Sequence, residues 1–142
     1  MNKFGGILNE LKENNNLTNI DLSKIVDTSR FVIGYWISNS QIPTLEHAIK
    51  LANYFNCSLD FLFGLTENNE EVNYSKSTPF HIQLKKILDE KKISQNKLMR
   101  ETNFKSGNLY SWFNKKSQPN MATVIELAQY LNVSLDYLAG RE

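Results

Sequence analysis

Apolar residues recur three or four positions apart near the start of the chain, at Phe4, Ile7, Leu8 and Leu11, and again at Phe80, Leu84, Ile87 and Leu88. That spacing lays one apolar stripe along an α-helix, so FGGILNELKEN and PFHIQLKKILDEKK each predict a first helix. Thr18 and Ser94 stand where a side-chain oxygen can accept an orphan backbone N–H, which makes TNIDLSKIV and SQNKLMRET short, N-capped second helices. Asp27 and Asn103 follow as turn residues that tolerate positive φ. A third helix starts near Ser29 and runs through Trp36, and another starts near Lys105 and runs through Trp112. Each leads into a polar loop closed by Pro43 or Pro119. Fourth helices over residues 44–55 and 120–131 present Leu45, Ala48, Ile49 and Ala52, and Met121, Val124, Ile125 and Ala128. SLDFLFG and SLDYLAG then read as Ser-capped fifth helices stopped by a glycine suited to the left-handed C-terminal position.

The two series are one series repeated. Residues 4–66 align with 80–142 at an offset of 76 without a gap, with 15 identities in 63 positions, most of them apolar or helix-boundary types. A repeat that keeps the apolar and boundary positions keeps a packing scheme, so it is one folding unit present twice. The expected fold is all-α: two five-helix domains, residues 1–66 and 79–142, joined by a polar linker at 67–78. Units of this size fold alone but with a narrow margin. Thr78–Pro79 predicts a cap followed by proline at the first helical position. As a flexible coil the linker spans roughly 20 Å root-mean-square and at most about 40 Å.

Composition narrows the function classes. The 142 residues carry a net charge of +1, but unevenly: 1–66 hold 5 Lys/Arg against 6 Asp/Glu, 67–78 hold 1 against 3, and 79–142 hold 10 against 6. The second copy therefore bears the cationic surface that a polyanion selects. No apolar run approaches the roughly 18 residues of a membrane span, and no basic-then-apolar leader opens the chain, which points to the cytosol. The single cysteine, Cys57, aligns with Val133 and reads as a small buried hydrophobe. There is no phosphate-binding glycine loop and no Cys/His set at metal spacing, and His47 and His81 align with Thr123 and Gly5, so neither enzyme nor metal or cofactor site is expected. Trp36 and Trp112 hold equivalent positions and read as core closures.

A short capped helix, a turn and a second helix with a polar face can lay that second helix in a major groove while the first crosses the phosphate backbone. The five-helix order, the cap-led second helix, the Trp closing the third, the Pro before the fourth and the terminal S-L-D-[FY]-L-x-G resemble the Cro/C1-type, lambda-repressor-like helix-turn-helix family (the xenobiotic-response-element family), twice over. The resemblance covers about 126 residues, 4–66 and 80–142. It implies that the first residues of the third helix, and one a turn later, face base edges. Those are Lys105, Ser106, Gly107, Asn108 and Ser111 in the second copy, where Asn suits adenine. In the first they are Arg30, Phe31, Val32 and Tyr35, with Gly34 among them; Arg30 suits guanine and the apolar members suit thymine methyls. The phosphate candidates are Ser94, Gln95, Asn114, Lys115, Lys116 and Ser117, and in the first copy Thr18, Asn19, Ser38, Asn39 and Ser40.

Two departures from the family pattern stand out. Ile37 and Phe113 occupy a position where many members place Glu against a helix-one Arg, so that internal ion pair is absent. Asn39 and Lys115 replace the usual Gly after the third helix, and of the two Asn tolerates positive φ better. The expected function is sequence-specific reading of double-stranded DNA by a transcriptional regulator, a repressor acting by operator occupancy, with room for a homodimer and no membrane partner. The rival is a protein-interaction module, used for dimerisation or as an antitoxin or phage inhibitor. In that reading the first copy, with its apolar third helix, binds protein. With no domain after the second copy, damage-triggered self-cleavage is not expected.

Overall fold

The computed structural model describes residues 3–74, 77–104, 106–114, 117 and 119–141, and of Ser106 and Gly107 the backbone alone. The chain divides into two compact units, Met1–Asn73 and Tyr74–Glu142. The first contains α1 (Phe4–Asn14), α2 (Asn19–Val26), α3 (Arg30–Ile37), α4 (Leu45–Phe55) and α5 (Leu59–Leu62). The second contains α6 (Phe80–Glu90), α7 (Gln95–Glu101), α8 (Ser106–Phe113), α9 (Met121–Leu131) and α10 (Leu135–Ala139). No helix among the described residues is long and apolar enough to cross a membrane.

Side-chain caps set most helix starts. Thr18 Oγ1 accepts the Asp21 N–H at 3.1 Å while Asp21 Oδ2 accepts the Thr18 N–H at 2.8 Å, a reciprocal capping box that satisfies two orphan donors. Ser58, Ser94 and Ser134 accept the N–H groups of Phe61, Lys97 and Tyr137, each at 3.0 Å. Asp27, at φ 59, ends α2 in the left-handed region, as its short polar side chain permits.

Two boundaries in the second unit differ from the sequence pattern. Helix α7 stops at Glu101, with Thr102 extended at φ −128 and ψ 174, and Asn103 does not take the positive φ of Asp27. The Thr102 hydroxyl donates to Leu98 O at 2.6 Å, so the helix end is closed by a side chain rather than by a left-handed residue. Pro79 takes the N-cap position of α6, not the first helical one, and Thr78 gives no side-chain cap. Thr78 instead donates its backbone N–H to Gly140 O at 2.9 Å, which draws the segment before α6 onto the end of α10.

Burial explains the repeat. Eight apolar positions identical in the two copies are buried in both: Phe4/Phe80, Leu8/Leu84, Leu22/Leu98, Trp36/Trp112, Leu51/Leu127, Ala52/Ala128, Leu59/Leu135 and Leu62/Leu138. Burying one large apolar side chain is worth about 1.5–3 kcal/mol, so these positions hold each small unit together. Trp36 meets Phe4 edge-on with centroids 6.4 Å apart, and Phe4 stacks on Phe63 at 4.6 Å. Trp112 meets Phe80 at 6.1 Å and Phe104 at 5.6 Å. Cys57 is buried, as expected of a small hydrophobe. His47 packs its ring 5.4 Å from Trp36, with Nδ1 3.1 Å from Thr44 Oγ1, so it belongs to the edge of the core rather than to a free surface.

One contact in the first unit depends on glycine. A Cβ at Gly5 would run into the carbonyl oxygen of Ile37, lie 2.7 Å from that of Trp36 and sit 2.9 Å from Asn39 Cγ. The missing side chain lets the start of α1 rest on the end of α3, where Gly5 N–H donates to Asn39 Oδ1 at 3.0 Å. Asn39 has φ 60, so it supplies both the left-handed turn and the cap of α1. His81 holds the equivalent place in the second unit and lines an open groove of about 740 Å³ with Ile82, Lys85, Gln95 and Phe113 among its walls.

Within the polar stretch 67–78, Val72, Tyr74 and Ser77 make contacts that its composition does not suggest. Val72 N–H donates to Asn56 O at 2.9 Å, within the first unit. Within the second, the Arg141 guanidinium lies 4.7 Å over the Tyr74 ring and Ser77 forms an isolated antiparallel bridge with Arg141.

Candidate nucleic-acid interface

The surface formed by the second and third helices of each unit follows from which residues the core takes. In α3, Ile33 and Trp36 point inward, three residues apart, which turns Arg30, Phe31 and Tyr35 outward. Phe31 is 62% exposed and Tyr35 46%, while Val32 and Gly34 are half-buried. Arg30 lies 5.0 Å over the Phe31 ring. That stacking uses the guanidinium face and not its in-plane N–H fork. Ser29 Oγ accepts the Val32 N–H at 3.2 Å and so starts the helix one residue before Arg30.

In α8, Leu109 and Trp112 are buried at the matching positions, so Asn108 faces solvent and Ser111 is half-buried. Tyr110 is also exposed, at 58%, but two residues from Asn108 it lies on another side of α8, and the alignment with Gly34 gave no hint of it. Ser106 and Gly107 form the first turn of α8. Lys105, Lys115 and Lys116 lie outside the described residues. Asn114 donates Nδ2–H to Tyr110 O at 2.8 Å and closes the helix, and Ser117 is exposed beyond it.

Electrostatics at the starts of α2 and α7 separate the two copies. A helix N-terminus attracts anions through its free N–H groups and dipole. At α2 that place is already taken by a carboxylate: Asp21, held below the ordinary carboxylate range first by the hydrogen bond from the Thr18 backbone, then by the Thr18 hydroxyl and by Lys24. The residue aligned with Asp21 is Lys97, exposed in the first turn of α7 beside exposed Ser94 and Gln95. The charge therefore reverses at one position. This contrast was present in the aligned sequences, but it acquires meaning only once both residues occupy the third position of a helix.

The first unit also commits its polar loop. Ser38 Oγ donates to Tyr35 O at 3.2 Å and bonds Ser40 Oγ, Ser40 N–H donates to Tyr35 O at 2.9 Å, and Asn39 caps α1. These groups finish α3 and start α1. Lys12, which sequence reasoning missed, donates from Nζ to Asn19 Oδ1 at 3.0 Å and so brings a cation to the start of α2. In the second unit its alignment partner is Leu88, which is buried.

Comparison with known proteins identifies the family. The helix-turn-helix family model matches the chain twice, over residues 8–62 and 84–138. No curated protein matches it. A transcriptional regulator from Listeria innocua, known from a crystal structure, is similar at 20% identity, covering 92% of this chain and 96% of that one with a TM-score of 0.44. Each match begins within a first helix and ends at the last residue of the S-L-D-[FY]-L run, so the chain belongs to the Cro/C1-type helix-turn-helix family of DNA-binding regulators, with two copies in tandem.

Proposed function

We infer that the chain is a sequence-specific double-stranded DNA-binding regulator that represses by occupying an operator, with α8 as the principal probe and α3 as the second. The observation that carries this reading is the start of α7 and face of α8. Lys97, Gln95 and Ser94 are exposed at a helix N-terminus and Asn108 is exposed on the next helix, candidates for phosphate and for base edges respectively. Residues 79–142 form the stronger reading module and residues 1–66 the weaker, since the start of α2 carries Asp21 and the cations on α2, α3 and the end of α1 are Lys12, Lys24 and Arg30 alone. Phosphate contacts fall to Ser94, Gln95, Lys97, Asn114 and Ser117, with Lys105, Lys115 and Lys116 as further cations of that copy.

Selection of bound sequences from random duplexes by the full chain, repeated with Asn108→Ala and with Arg30→Ala, tests the assignment. Each variant should relax preference at a distinct group of positions, with the larger loss for Asn108→Ala. Identical selected sequences for wild type and Asn108→Ala would remove α8 from base reading. A second reading rests on the exposure of Ile20, Phe31 and Tyr35, three large apolar residues on α2 and α3. On that reading the first unit binds a protein, and Phe31→Ala with Tyr35→Ala changes the oligomeric state in sedimentation while leaving the selected DNA sequence as it was.

A further inference from the structure

The linker between the two reading modules shares a feature with neither the core nor the probe helices: it is fastened at both ends. Val72 belongs to the first unit through its N–H to Asn56 O. Tyr74, Ser77 and Thr78 belong to the second, through Arg141 and Gly140. Arg141 is 3% exposed and its Nη1 lies 2.6 Å from Oδ1 of Asp136, itself 5% exposed, so the Tyr74 ring covers a buried ion pair. Gly140 admits this arrangement: at φ 80 it ends α10, and a Cβ there would meet the carbonyl oxygen of Thr78.

In the first unit the residue aligned with Asp136 is again an aspartate, Asp60, while Leu65, 47% exposed, stands where the second unit has Arg141. What Arg141 adds is a seat for Tyr74 and an edge for Ser77.

We propose that Tyr74 and Arg141 form a strap that shortens the tether between the two DNA-reading units to Asn73, and thereby restricts which half-site spacings one chain can bridge. This rests on the DNA-reading assignment above. Between anchors at residues 72 and 74 the chain spans at most about 7 Å, against about 40 Å for twelve free residues. Simultaneous binding of two half-sites depends on the tether matching the span. A chain with a docked strap therefore discriminates spacing, and one with a free linker does not.

The test uses the full chain and two half-sites selected by it, placed at spacings that vary by single base pairs. Six Gly/Ser residues inserted between Asn73 and Tyr74 add up to about 20 Å to a one-residue tether, about six base pairs at 3.4 Å each, without touching either unit. Added to a free twelve-residue coil they would lengthen it by only about a fifth. Amide exchange at Thr78, in wild type and Tyr74→Ala, reads the strap without DNA.

The expected result is a protected Thr78 amide that Tyr74→Ala exposes, tenfold or greater discrimination among spacings by wild type, and a range broadened by about six base pairs in the insertion variant. A Thr78 amide exchanging as in an unstructured peptide overturns the strap. A protected amide with spacing profiles that the insertion leaves unaltered overturns its role in reach. If no duplex of any spacing binds, the reading assignment fails and the spacing role with it, while Thr78 exchange still reports whether the strap is docked.

Discussion

Replacing Gly5 with alanine and replacing its neighbour Gly6 with alanine are the same chemical change one residue apart, and the structure assigns them opposite signs. At Gly5 the new Cβ would lie 2.7 Å from Trp36 O, about 0.7 Å inside ordinary contact, and would press on Ile37 O as well. Both are backbone atoms at the end of α3 and cannot swing aside as a side chain can, so α1 must move outward. That movement stretches the Gly5 N–H bond to Asn39 Oδ1, now 3.0 Å, and loosens Phe4 against Phe63. Overpacking costs about 1–3 kcal/mol and a lost hydrogen bond about 1, offset by up to about 1 from better helix propensity. The net expectation is destabilisation of the first unit by about 2 kcal/mol. At Gly6 nothing lies within 4 Å of the added Cβ, so only the propensity gain remains and the unit is stabilised by up to about 1 kcal/mol. The difference, about 3 kcal/mol, is more than a hundredfold in the unfolding constant. Urea unfolding of the full chain, followed through the separate indole resonances of Trp36 and Trp112, measures it: the Trp36 transition should shift in opposite directions and the Trp112 transition should stay in place. Equal shifts for the two variants, or a stabilising Gly5→Ala, would refute the close approach of α1 to α3.

Other substitutions test other parts of the account. Asn39→Gly keeps the left-handed turn and removes only the cap of α1, costing about 1 kcal/mol, whereas Asn39→Ala also strains φ and costs roughly 1 kcal/mol more, both read by the same urea experiment. Because Asp21 has a lowered pKa in the fold, the stabilisation it brings is present above the ordinary carboxylate pKa and fades as pH falls through that value toward the lowered one. Asp21→Asn should flatten this acid limb of the stability profile, and an unchanged limb would mean the capping box does not form in solution. Lys97→Ala should weaken binding about equally for all duplexes and reduce the slope of log affinity against log salt by about 1, and a sequence-dependent loss would move Lys97 from phosphates to bases.

The caps and the core were legible because each is a local signal. Thr18, Ser58, Ser94 and Ser134 announce helix starts by residue type, and Trp36 and Trp112 announce closure by size and by recurrence in the repeat. What escaped the sequence depends on partners far along the chain. Gly5 is a poor helix residue until Asn39, 34 positions away, is brought against it. The linker reads as free coil from composition, since Tyr74 and Arg141 are 67 positions apart and neither alone signals a contact. Asn103 has the right type for a left-handed turn, yet the Thr102 hydroxyl closes the helix first. At the candidate interface the outward residues were expected from the family resemblance, and the burial of Leu109 and Trp112 is what leaves Asn108 exposed. The Asp21/Lys97 reversal needed the helix starts to be placed, and the hydroxyls of Ser38 and Ser40 turned out to serve the end of α3.

The central claim is that the second unit reads bases through α8 and holds phosphates through the start of α7. Equilibrium binding of the full chain to its selected operator and to a scrambled duplex, for wild type and for Asn108→Ala combined with Lys105→Ala, between 50 and 200 mM salt, measures both parts at once. The account predicts strong preference for the operator by wild type, its collapse in the double variant, and a fall of about 10³–10⁵ in affinity across that salt range if 6–10 phosphates are contacted. A double variant that binds the operator as tightly as wild type, or a wild-type affinity that does not respond to salt, would contradict it.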